Sequence, residues 1–397
     1  MKKSALALAV AAALGVAAAA QADTTLYGSA RVSVDWNNPD VGKDFANFFG
    51  IDSNNQYWQV FNNASRLGVR GSEDLGSGVS AIYQYEFGVD VTGGSNYFDS
   101  NRPRLVGIKS DLGTVSLGTQ YTPYYNVVGY TDTFNSSKTF SQDYFLGSTV
   151  EGGKTNGITS GATLFGFPTL YQKGVAAVRK GFNVIYTTPT WNGLSAQGLV
   201  DMNGLSGPNS VDSWEWNVVY NNGPWFVGGT MLQAKDQEYA NSETSSVTRH
   251  SDNQYGAVLG FDNKQFSAAF SWQMYDPERK SEPFCTTATV LCPSSDLQFA
   301  REKVSAYTGQ LSYTFGNEVL RATFSYLNPN DIEVKTYIGE LGFQHNLSKR
   351  TRLWVEGAYA SEKLSNAKIP NNTVGLKNSD IKDANASFVS VGIRHDF

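Results

Sequence analysis

Arg66, Arg70 and Glu86 are the first residues whose types and spacing could do chemistry. They interleave with Leu67, Val69, Tyr83, Tyr85 and Phe87 in the stretch from Trp58 to Phe87. Successive strand side chains point to opposite faces, so such a stretch has one charged face and one greasy face. Unpaired buried charge is expensive, so the charged face belongs in water, where fixed guanidinium and carboxylate groups can order ions. The greasy face then needs an apolar partner, and lipid is one. Apolar outward and polar inward around a wet lumen is the alternation of a transmembrane β-barrel.

Covalent chemistry has weaker candidates. Ser390 and His395 share a segment but stand an odd number of residues apart, so they point to opposite faces. His345 is flanked by Gln344 and Asn346, with no serine motif beside it. His250, His345 and His395 are scattered, and none is near Cys285 or Cys292, which argues against a metal site. No phosphate-cradling glycine loop is legible, so neither a cofactor nor a hydrolase constellation is expected.

The elements that must carry these charges recur along the whole chain. The hairpin is expected to turn at Gly71 to Gly76. Ser29, Arg31, Ser33 and Asp35 alternate with Ala30, Val32, Val34 and Trp36, which places Arg31 inward. Leu105 to Lys109, Thr114 to Tyr121, Phe182 to Thr188 and Leu194 to Val200 follow. Trp214 to Tyr220, Tyr255 to Phe261, Phe266 to Met274, Tyr307 to Phe315 and Ala322 to Tyr326 repeat the pattern. Connections are short Asp/Asn/Gly turns or long polar stretches: Asn37 to Tyr57, Thr122 to Val178, Ala234 to Ser251, Asp276 to Ala300 and Glu362 to Ala384. The expectation is an all-β fold, an antiparallel transmembrane barrel of about sixteen strands. Thr122 to Val178 is too long for an ordinary connection; it could fold into a wide lumen or stay on the surface.

Met1-Lys2-Lys3, the Ala/Leu/Val run after them and Ala20-Gln21-Ala22 read as a secretory signal peptide over residues 1–22. Residues 23–397 then form one barrel domain. Cleavage lowers Lys+Arg from 31 to 29 against 36 Asp+Glu, a formal charge of −7. That balance argues against nucleic acid as a partner. Mean hydropathy is −0.32 and no long apolar run follows the signal, so helical spans are excluded while strands are not. Export permits a disulfide between Cys285 and Cys292, a short staple within a Pro-bounded loop. Trp36, Trp214, Trp216, Trp225 and Trp272 fit interfacial girdles.

Ser65-Arg66-Leu67-Gly68-Val69-Arg70-Gly71-Ser72-Glu73-Asp74-Leu75-Gly76-Ser77-Gly78 resembles the SRLGxxGxEDLGxG hairpin of the trimeric general porins of the Gram-negative outer membrane. Asn101-Arg102, Val106-Gly107-Ile108 and the run Leu112 to Pro123 are similar too, as are Tyr27-Gly28 and Val391 to Phe397. The resemblance spans the mature chain. It implies a 16-stranded homotrimer that passes small hydrophilic solutes and ions. It also implies a third loop, here Thr122 to Val178, folded into the lumen as a constriction. Arg66 and Arg102 match rungs of the family's wall of arginines by motif, Arg31 and Arg179 more loosely. Asp132, Asp143 and Glu151 are the loop acids that would face them across a transverse field. Phe397 would be the signal read by the barrel assembly machinery, with lipid and lipopolysaccharide as surroundings. Two departures stand out: Phe182-Asn183 replaces the usual Asn-Ser after the wall arginine, and the acidic loop motif is diluted by Lys138, Lys154 and Lys173. Aromatic loop residues such as Tyr124, Tyr130 and Phe140 leave an oligosaccharide-preferring channel as an alternative. A barrel-borne hydrolase or a secreted β-sandwich binder are the rivals from other classes.

Overall fold

The computed structural model describes residues 23–40, 56–93, 98–99, 102–134, 163–164, 167–168, 174–202, 211–240, 247–278, 283–284, 299–300, 303–330, 334–363 and 383–397. Asp143, Glu151, Cys285 and Cys292 lie outside them.

Sixteen antiparallel strands follow one another around a barrel. They are β1 (Asp23–Asp40), β2 (Tyr57–Asn62 and Arg66–Gly76), β3 (Val79–Val89), β4 (Phe98–Asp99 and Arg104–Ser110) and β5 (Gly113–Tyr121). Next come β6 (Arg179–Thr187), β7 (Leu194–Asp201), β8 (Ser213–Asn222), β9 (Trp225–Ala240), β10 (Val247–Asp262) and β11 (Phe266–Pro277). The last are β12 (Val304–Phe315), β13 (Glu318–Pro329), β14 (Lys335–Asn346), β15 (Thr351–Lys363) and β16 (Ala384–Asp396). β1 pairs with both halves of β2 and, on its other edge, with β16, from Ser29↔Asp396 to Asp40↔Asn385. That last pairing closes the sheet and leaves no open edge in the lipid.

Burial is inside out, as the alternation predicts. Val34 is 47% exposed, while Arg31, Ser33 and Asp35 beside it are at most 6% exposed. The same holds on β8, where Trp216 and Val218 face outward and Glu215 and Asn217 are buried.

Two expectations are corrected. The first hairpin does not turn at Gly71 to Gly76: pairing continues through Gly71↔Tyr83 to Asp74↔Ser80, and the turn is Ser77-Gly78. Only Gly76, Ser77 and Gly78 there have positive φ, at 84°, 55° and 74°, the geometry that matches hairpin twist. Gly71 serves instead as a seat for the Tyr83 ring, whose atoms occupy the place a Cβ would take. The stretch Ala234 to Ser251 is not mainly loop: β9 runs to Ala240 and β10 starts at Val247, pairing Gln237↔His250 to Ala240↔Val247 after a register shift. Polar strands pair as well above the lipid as within it, so alternation ends before the ladder does.

The stretch Thr122 to Val178 opens with a short helix, α1 (Pro123–Val128), and a 3₁₀ turn, Gly129–Thr131. Thr122 caps α1 by accepting from the Tyr125 N–H, and Pro123 sits in the first turn, where its missing donor costs nothing.

Candidate functional site

The inner wall carries a cationic patch organised on one carboxylate. β2 breaks at Asn63–Ser65, and Ala64 there adopts φ 61°. The break turns the Ala64 carbonyl toward the lumen, where it accepts from Arg66 Nε at 3.4 Å and Arg102 Nη2 at 3.2 Å. Glu86 Oε1 lies 3.7 Å from Nη1 of both arginines. Tyr27 donates to Glu86 Oε2 at 2.9 Å and accepts from Gln84 Nε2 at 2.7 Å, which fixes the carboxylate. Arg31 donates its Nε to Ser29 Oγ and feels the charges of Arg66, Arg102 and Arg394. Arg31 and Arg102 are only 6% and 8% exposed.

The structure therefore brings Arg31, Arg66 and Arg102 together. Arg179 acts on Arg102 through its field, and its guanidinium carbon sits 5.3 Å from the Tyr121 ring centroid. Lys180, next to it on β6, lies 3.7 Å from Asp201 and 3.5 Å from Glu215. Phe182 takes φ 48° and points out, while Asn183 Nδ2 donates to the carbonyls of Lys180 and Gly181. The register slips there.

Further cations went unassigned in the sequence. Arg321 on β13, Arg352 on β15 and Arg394 on β16 interact electrostatically with one another. Asp396 holds Arg352 at 2.6 Å and Arg394 at 2.7 Å. Inward alternation alone identifies Arg321, between Leu320 and Ala322; the other two needed the register of the closing strands.

Residues Pro123 to Phe134 run along the inward side chains of successive strands. Asn126 donates to Gln197 on β7 at 2.8 Å, and the Pro123 carbonyl accepts from Asn217 on β8 at 2.8 Å. Thr131 Oγ1 meets Ser271 on β11 at 3.1 Å, and Thr133 donates to Gln310 on β12 at 2.7 Å. Apolar side chains fill gaps left by inward glycines: Val127 packs at Gly228, Val128 at Gly256, Tyr130 at Gly260 and Phe134 at Gly342. Val127 also joins Val219, Phe226 and Val258 in an apolar patch on the wall. Asp132 accepts from Tyr125 Oη at 3.2 Å. Glycine at an inward position reads as a weak strand residue in sequence, which is why these seats were missed.

Phe397 exchanges both backbone hydrogen bonds with Gly28 at 3.1 Å, and its ring covers that glycine. Ser390 donates to Asp35 at 2.8 Å, whereas His395 meets Thr351 on the other face.

A closed sixteen-stranded barrel with a lipid-compatible outer surface and a charged inner wall defines a transmembrane β-barrel channel. The sequence profile described as Gram-negative porin matches residues 5–366. The major outer membrane protein P.IB of Neisseria meningitidis serogroup B is 24% identical over the full length of both chains. The fold is shared with the anion-selective porin from Comamonas acidovorans, at TM-score 0.68 and 20% identity, covering 95% of this chain and 100% of that one. It is shared also with the trimer form of OmpT of Vibrio cholerae, at TM-score 0.56 and 15% identity, covering 95% and 99%. The chain belongs to the Gram-negative porin family: it is an outer-membrane porin, a channel for passive diffusion.

Proposed function

We propose that the pore favours small anions and that its narrowest section lies between the Arg31–Arg66–Arg102 wall and the inserted part of Thr122 to Val178. The observation that carries this reading is the cluster itself: Arg66 and Arg102 each lie 3.7 Å from Glu86, and Arg31 feels the charge of both. Three guanidiniums gathered on one side of the wall concentrate positive charge where fixed charge tunes selectivity. The anion-selective character of the Comamonas acidovorans neighbour supports the same sign. Arg179 contributes field from its place over Tyr121, and Asp132, with Asp143 and Glu151 in the same stretch, supplies the opposing charge.

Residues 1–22 act as the signal peptide and are removed. The working unit is a homotrimer, the form in which the Vibrio cholerae neighbour is known. Phe397 is the recognition residue for the assembly machinery, lipid and lipopolysaccharide surround the barrel, and Cys285 and Cys292 staple their loop. The activity is permeation and not catalysis, since the relatives are porins. An oligosaccharide preference has less support, because Tyr124 and Tyr130 are engaged with the wall.

Planar-bilayer recording under a KCl gradient tests the reading. The reversal potential is expected on the chloride side and to move toward zero in the Arg66→Ala plus Arg102→Ala variant. A cation-side potential, or one untouched by that variant, refutes it.

A further inference from the structure

Three guanidiniums stand in one register row on the inner wall, close to the short-turn end of the barrel. Arg31 of β1 is paired with Arg394 of β16, and Arg394 with Arg352 of β15. Like charges directly opposite one another destabilise a sheet, so such a row calls for anions. Asp396 supplies one carboxylate, which accepts from Arg394 Nε at 2.7 Å and from Arg352 Nη2 at 2.6 Å. A guanidinium carries five N–H donors, so Arg352 and Arg394 each keep donors beyond that contact. Arg321 of β13 lies in the field of Glu356, Arg352, Arg394 and Glu340, and among the described residues its guanidinium makes no hydrogen bond.

An aromatic side chain adjoins this row. Trp354 shares the inner face of β15 with Arg352 and Glu356, since Leu353 and Val355 on either side of it are 40% and 48% exposed on the outer face. It is paired with Gly392 of β16, and its ring atoms occupy the place that a Cβ on Gly392 would take. The indole therefore rests on β16, one inward position from Arg394 on that strand, and it remains partly exposed. Glycine is what the seat requires, because any side chain there would push the ring off the strand. The flanking residues of its own row, Gln344 of β14 and Ser33 of β1, are uncharged. An indole on the inner wall has no part in the interfacial girdles.

We propose that Trp354 and the Arg394–Arg352 pair, with Arg321 beside them, form a binding subsite for anions that carry a planar aromatic ring, aromatic carboxylates above all. The carboxylate takes guanidinium N–H donors while the ring stacks on the indole. The two contacts act on different parts of one molecule: a small inorganic anion finds only the arginines, and an uncharged ring finds only the tryptophan. The turn at Ser348 and the chain end at Phe397 are a few residues away, which places the subsite at the short-turn mouth of the pore. It shares Arg31 with the Arg66–Arg102 patch and is otherwise separate, so it goes beyond the selectivity proposed above.

Current recording of the full chain in planar bilayers is the test, with benzoate and cyclohexanecarboxylate as probes. The two acids carry the same charge on rings of similar size, and only benzoate can stack. Benzoate is expected to interrupt the KCl current at about a fivefold lower concentration. That advantage should vanish in Trp354→Leu, survive in part in Trp354→Phe, and survive in full in Trp216→Leu, which removes an outward indole. Arg321→Gln should weaken both probes alike. Equal potency of the two acids on the parent channel overturns the proposal with no variant needed, so it stays testable should Trp354→Leu fail to fold. An advantage kept in Trp354→Leu overturns it as well. Arg66→Ala plus Arg102→Ala separates the subsite from the selectivity reading. Loss of the benzoate advantage in that variant would put the binding at the Arg66–Arg102 patch and sink the subsite. A parent reversal potential on the cation side, with the benzoate advantage intact, sinks the selectivity reading alone.

Discussion

Tyr130 lies face to face with Phe226, ring centroids 4.2 Å apart and planes 7° from parallel, on the inner wall of the barrel. Gly260, paired with Phe226 across β9 and β10, gives the Tyr130 ring its place. A stacked aromatic pair adds about 1 kcal/mol beyond its buried area, so this contact is a main apolar anchor of the segment that follows α1.

Gly260→Val puts methyl groups where the Tyr130 ring lies. Overpacking of this kind costs about 1–3 kcal/mol, and the cost should fall on the segment and not on the ladder. Hydrogen exchange is expected to accelerate for the backbone N–H groups of Asn126 and Asp132 while β9 and β10 stay protected. Gly309→Val is the control, since a Cβ there meets nothing within 4 Å. Equal exchange in both variants would contradict the seat.

Glu86→Gln removes the carboxylate between Arg66 and Arg102 without changing its shape. The side chains of Glu86, Arg66 and Arg102 are 6%, 15% and 9% exposed, so the arginines lose a partner they cannot fully replace with water. Anion preference should rise, seen as a reversal potential nearer the chloride limit, and the barrel should lose about 1–3 kcal/mol. A shift toward potassium would disprove the assignment of Glu86 as counter-ion to the wall.

Lys180→Met should be costly. Lys180 faces Asp201 and Glu215 in a dry corner, and stripping one partner from buried charge costs about 3–5 kcal/mol. Urea unfolding in detergent is expected to place Lys180→Met well below the parent, and parent-like stability would contradict a buried ion pair at that corner.

Gly28→Leu fills the place of the Phe397 ring. If closure of β1 on β16 depends on that contact, folding into detergent or lipid should slow about as much as in Phe397→Ala. Folding of Gly28→Leu at the parent rate would mean that Phe397 acts only as a recognition signal.

Much of this protein is legible one residue at a time. Alternation around Arg31, Arg66, Glu86 and Trp216 sets which side of each strand meets lipid, because strand geometry permits only two directions. Sixteen strands and short turns follow from the same pattern. The hairpin turn was misplaced because Gly71 to Gly76 is as small and polar as a turn, while only positive φ at Ser77-Gly78 reverses the chain. What the tertiary structure decided lies across strands far apart in sequence. Glu86 between Arg66 and Arg102, Lys180 between Asp201 and Glu215, and Gln254 gripping Tyr124 and Val175 all depend on register and bulges. A strand's own residues fix its faces; closing the sheet fixes which side chains meet across the lumen, and no local pattern encodes that distance.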